Sequence, residues 1–167
     1  MDILKDWKTK KNVKKERAEK GYSWWDVMDM DRWFLNIVPK MLQELKEKYD
    51  GFPRQFEKQW LLQHWSQVDG KSEFQKFVTI QHNDEIRLQM EEDCKNKWND
   101  ILDKIIFLFK EADEEQCTYV NKYDENHEDP ELEELWYQEN HKISVYQDKC
   151  LKEGMQLFTT YFRHLWY

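Results

Sequence analysis

Four glycines and three prolines in 167 residues are too few for the many turns of a sandwich or barrel, and they favour long helices. No apolar run approaches the roughly 18 residues that suggest a membrane span, and the start, Met1-Asp2-Ile3-Leu4-Lys5, lacks the apolar stretch of a secretion signal. Three cysteines, Cys94, Cys117 and Cys150, are odd in number and share no close spacing, which argues against a disulfide framework and fits a reducing cytosol. Glycines at 21, 51, 70 and 154 leave no phosphate-cradling loop. No GxSxG elbow is present, and His64, His82, His127, His141 and His164 show no HxH, HExxH or cysteine-paired spacing for zinc.

What is abundant is ring and charge together. Nine Trp, nine Phe and eight Tyr make 16% of a chain whose residues are 36% charged. Either the rings build an economical core between thin helices, or some of them line a pocket for a flat ligand. The length fits one domain with a sizeable core. Net charge is −8, unevenly spread: residues 1–20 carry eight Lys and Arg against four Asp and Glu, and the other 147 carry 18 against 30. A body this acidic is a poor general binder of nucleic acid. The basic start could touch phosphates or an acidic partner, or be a solvated terminal segment.

Periodicity divides the chain into a basic arm or weakly amphipathic helix over 1–20 and a helical domain over 21–167. Ser23 and Asp26 have the spacing of a capping box. From there a long helix over 23–49 is expected, kinked near Pro39, with Val27, Met30, Phe34, Ile37, Val38, Met41, Leu42 and Leu45 on one apolar face. Gly51 and Pro53 end it. Short helices are expected around Phe56 and Trp60 and after Ser72, with Asp69-Gly70 as a turn. The clearest helix runs from Asp84 to about Glu115, on a stripe that includes Met90, Cys94, Trp98, Leu102, Ile105 and Phe109. Residues 116–129 read as a loop, and Asp129-Pro130 as the start of a last helix. Gly154 interrupts that helix, which a close crossing would explain. The reading is an all-α, single-domain bundle of three long helices plus shorter ones.

Three sets of residues carry candidate chemistry. Trp24, Trp25 and Trp33 cluster at a helix start; Trp24 and Trp25 are adjacent, so they cannot share a helical face, and one must look away from the core. Rings of this kind, with Trp60 nearby and Arg32 or Arg54 to meet phosphate, suit a nucleotide-type ligand. The carboxylate pairs Glu44/Glu47 and Asp100/Asp103 each sit one turn apart and distantly resemble the ExxE and ExxD motifs of all-α nucleotide pyrophosphatases, which hold Mg²⁺. The gap of more than fifty residues and the leading Asp of the second motif depart from that pattern. Lys40, Glu44 and Lys48 also form an i, i+4 ladder that accounts for Glu44 as a surface charge. Five large apolar groups, Tyr161, Phe162, Leu165, Trp166 and Tyr167, close the chain; they pack either on the chain's own start or on a second copy.

Two sets of residues carry a resemblance. One is Gly21-Tyr22-Ser23, then Asp26, Met30-Asp31-Arg32-Trp33-Phe34-Leu35, Pro39 and Gly51-Phe52-Pro53. The other is Trp98-Asn99-Asp100-Ile101-Leu102-Asp103 with the closing Leu157-Phe158-Thr159-Thr160-Tyr161-Phe162-Arg163-His164-Leu165-Trp166. Together they are similar to a family of small all-helical proteins encoded by tailed bacteriophages, from which the Trp24-Trp25 pair departs. The resemblance implies an accessory protein acting in the cytoplasm of a host bacterium, where such proteins blunt antiviral defence. The expectation is therefore binding without catalysis and without a cofactor. The protein would sequester a small nucleotide-type immune signal through Trp24, Trp25, Arg32, Trp33, Arg54 and Trp60, as a homo-oligomer. The alternatives are direct binding to a host defence protein and a Mg²⁺-dependent hydrolase.

Overall fold

Helices α1 (Ile3–Lys20), α2 (Trp24–Met28), α3 (Met30–Lys48), α4 (Gln55–Gln63), α5 (Glu73–His82), α6 (Asp84–Ala112) and α7 (Glu133–Tyr161) build an all-α bundle, with no strand among the described residues. The computed structural model describes residues 3–124 and 132–165, and side chains from residue 12 onward. The expected Asp129-Pro130 helix start, His127, Trp166 and Tyr167 lie outside the described residues.

The centre is α6, packed along α7 and α3, with α4 and α5 against its first half. Its stripe of Met90, Cys94, Trp98, Leu102, Ile105 and Phe109 is buried, as the periodicity predicts. Phe109 meets Phe34 of α3 edge-on at 5.3 Å and Phe158 of α7 at 5.7 Å, so three helices share one aromatic joint. Gly154 belongs to that joint: a Cβ there would stand 2.8 Å from the Phe109 ring and 3.2 Å from Leu108 Cβ. The glycine is there for closeness, since no larger residue lets α7 lie this near α6. Tyr161 packs on Phe56 of α4 and Trp98 of α6 at 6.0 and 5.6 Å, so this part of the closing aromatic cluster docks on the chain's own core.

Two expectations about the helix over 23–49 are corrected. The helix is not continuous but breaks at Asp29, whose backbone (φ −115°, ψ 50°) leaves the helical region between α2 and α3. Aspartate is a weak interior helix former, and its neighbours' ladder bonds stop on it: Asp29 N–H donates to Trp25 O, and Trp33 N–H to Asp29 O. The second correction is to the apolar face, since α3 carries Pro39 inside it and buries it. The inward face of α3 is Leu35, Pro39 and Leu42, with Phe34 and Val38 partly covered; Val27, Met30 and Met41 point outward.

The loop after α6 is held from within. The buried Glu111 carboxylate accepts hydrogen bonds from Thr118 N–H (3.2 Å), Thr118 Oγ1 (3.0 Å) and the Tyr146 hydroxyl (3.0 Å), which ties the loop to α7. Burial pushes the Tyr146 hydroxyl above the usual phenol range, so it stays protonated and donates. Asn121 completes the closure by donating to Trp136 O at 2.9 Å and Asn140 Oδ1 at 3.0 Å.

Candidate functional site

The corner made by α1, α2 and the start of α3 inverts the usual sorting of side chains. Gly21, at φ 82°, turns the chain after α1, a conformation that L side chains rarely adopt. Ser23 then caps α2 as the sequence predicts: its Oγ accepts from Asp26 N–H, and its own N–H donates to Asp26 Oδ2 at 2.7 Å. Arg17 reaches across from α1 and donates to both oxygens of Asp26, at 2.9 and 2.5 Å. The Arg17 guanidinium holds the Asp26 carboxyl well below the usual carboxylate range. Glu16 accepts from Trp24 N–H at 2.8 Å.

This polar clasp fixes the rotation of α2. The only buried side chain of the helix is Asp26. Trp24 is 63% exposed and Trp25 55%, with Tyr22, Met28 and Met30 also turned to solvent and Trp33 less so. Of the adjacent pair, neither indole faces the core; the residue that turns inward is the aspartate after them. Arg32 stands near this surface but is already engaged, with Glu115 at 3.1 Å and Glu114 at 4.0 Å.

The remaining two predicted residues lie elsewhere. Trp60 is a core residue of α4: its Nε1 donates to Asp93 Oδ2 at 2.7 Å, and its ring stacks on His64 at 4.1 Å. It borders a concavity of about 340 Å³ shared with Gln67, Glu85 and Gln89. Arg54 stands at the rim of a larger groove, about 740 Å³, between α4 and α5. Trp24 and Trp25 on α2 and Arg32 and Trp33 on α3 are neighbours along the chain, Arg54 lies before α4 and Trp60 on it, and none of the first four lines either cavity.

Sequence reasoning overlooked the groove's aromatic wall, Phe74 and Phe77 of α5. Both lie on the short helix expected after Ser72; Phe74 is 76% exposed while Lys76 between them is 5% exposed. Lys76 Nζ donates to Val68 O at 2.5 Å and to Trp65 O, and lies over the Trp65 ring at 4.4 Å.

The acidic pairs are engaged by basic or amide side chains, except Asp100, which is exposed. Glu44 pairs with Lys48, Glu47 accepts from Gln43, and Asp103 accepts from Lys46 at 2.7 and 2.6 Å. Among the described residues no three His, Cys, Asp or Glu side chains converge as a metal-binding group would. Burial pushes the Cys94 thiol up to about 11 and raises that of Cys117, so both favour the unreactive thiol form. No helix among the described residues is long and apolar enough to cross a membrane. The chain matches no protein-family model, no curated protein and no solved structure among those compared.

Proposed function

We propose that this chain is a non-catalytic binding protein that docks on another protein through the indole and methionine side chains of α2 and the start of α3. The observation that carries this reading is a helix whose one buried side chain is an aspartate and whose tryptophans both face water. Several large apolar side chains left exposed this close together in sequence on a polar chain suit a contact face. Trp anchors interfaces, and Met adapts to the shape it meets. The partner's chemistry follows from the neighbouring helix. Residues 1–20 carry eight Lys and Arg against four Asp and Glu, so the fitting surface is acidic with an apolar recess for the indoles. Read with the phage resemblance, that partner is a host defence protein, met in the bacterial cytoplasm. Sequestration of a nucleotide by the indoles is less favoured, because they line neither of the two cavities beside Arg54 and Trp60.

A benzophenone amino acid in place of Met28, photolysed in host cells, tests the reading. The expected result is one adduct that is absent when the same probe replaces Leu88, which is also exposed. The cross-linked protein, purified, should bind the wild type and lose the Trp24→Ala/Trp25→Ala variant. Equal labelling from both positions, or unchanged binding by the double variant, overturns the proposal.

A further inference from the structure

The α4–α5 groove is independent of the docking corner and has its own logic. Its apolar lining is Leu61, Phe74 and Phe77; Arg54 and Lys58 bring positive charge, and Glu57 and Glu73 negative. Lys58 and Glu73 pair at 3.2 Å between the two helices, so these charges largely cancel. Arg54 has no hydrogen bond or ion pair among the described residues. Burial raises the Glu57 carboxyl from its ordinary value, while the nearby Arg54 charge acts to lower it.

The exposure of the two phenylalanines is imposed, not incidental. Lys76 is anchored to the carbonyls of Trp65 and Val68, and Ile80, one turn on, is fully buried. With 76 and 80 inward, helical geometry turns 74 to nearly the opposite side from 76 and leaves 77, one turn on from 74, at the edge of the buried side. The bundle thus hides an amine and presents two rings beside a guanidinium that feels the Glu57 charge but makes no hydrogen bond or ion pair among the described residues.

We infer that this groove binds a planar aromatic molecule carrying one anionic headgroup, its ring against Phe74 and Phe77 and its anion on Arg54. The volume, about 740 Å³, lies within the usual range for small-molecule sites. The guanidinium fork accepts a phosphate or a carboxylate in the same way, so the shared chemistry is ring plus oxyanion.

The probe is 8-anilinonaphthalene-1-sulfonate, an aromatic anion whose fluorescence rises on burial, titrated into the full chain. One saturable site is expected. Arg54→Gln should weaken it at least about tenfold, and Phe77→Ala about five- to a hundredfold. The Trp24→Ala/Trp25→Ala variant should bind the dye as the wild type does. Displacement by adenosine monophosphate assigns a phosphate headgroup, and displacement by indole-3-acetate a carboxylate; either supports the site. Failure of both to displace the dye overturns the inference. So does equal displacement by inorganic phosphate alone, since the rings would then contribute nothing. Dye binding that survives Arg54→Gln but is lost with the two tryptophans also overturns it, while leaving the docking corner untouched.

Discussion

Asp26 links the chemistry of single groups to the exposure of the indoles. Its carboxyl is depressed by Arg17, so its contribution to the corner is complete above the unfolded carboxylate value of about 3.9 and is lost as pH falls toward the much lower folded value. Acidification below about pH 4 should therefore progressively weaken the hold of α1 on α2. Emission from Trp24 and Trp25 should follow that change, and an Asp26→Asn variant should lack it. Removing the cap by Ser23→Ala should cost the corner about 1 kcal/mol, seen as faster amide exchange at Asp26 while α6 keeps its protection. Lys76 makes a second case. Lys76→Met strands the carbonyls of Trp65 and Val68, and should lower stability by about 1–3 kcal/mol in chemical denaturation, although it makes the core more apolar.

Among the elements, legibility followed how locally each decision is made. The α6 stripe, the Ser23–Asp26 box and the Ser72 cap of α5 are readable because their partners lie within a few residues. Gly154 is readable as a crossing because a mid-helix glycine has few other uses. Its consequence is testable: Gly154→Val would drive a side chain into the Phe109 ring and should cost about 1–3 kcal/mol, read as a lower denaturation midpoint. The outward turn of Val27, Met30 and Met41 was not readable, because periodicity says which residues share a face and not whether that face has a neighbour. The Asp29 break hides for a similar reason: aspartate is common enough in helices that only the clasp on α2 makes it a boundary. The Phe74 and Phe77 pair escaped because the default of rings inward was overruled by Lys76, whose partners lie 8 and 11 residues back in a turn.

For the whole molecule, the two charge domains matter most. A cationic first helix beside an acidic bundle has a dipolar field, which would pre-orient the proposed acidic partner onto the α1–α2 corner. Association with such a partner should slow as salt is raised while dissociation stays nearly constant, measured by stopped-flow mixing at low and physiological ionic strength. The tryptophans should act on the opposite rate. The Trp24→Ala/Trp25→Ala variant should leave global stability within about 0.5 kcal/mol, because these rings cover little of the bundle, yet dissociate faster.

The break at Asp29 has a mechanical consequence. Ladder bonds end on that residue from one side and begin on it from the other, so α2 meets α3 through a joint instead of a rigid rod. A load applied to the indoles is taken up by torsion at one aspartate before it reaches the aromatic joint of Phe34, Phe109 and Phe158. If α2 docks as proposed, the adjustment falls on this joint and on the Arg17–Asp26 clasp while the trunk keeps its shape.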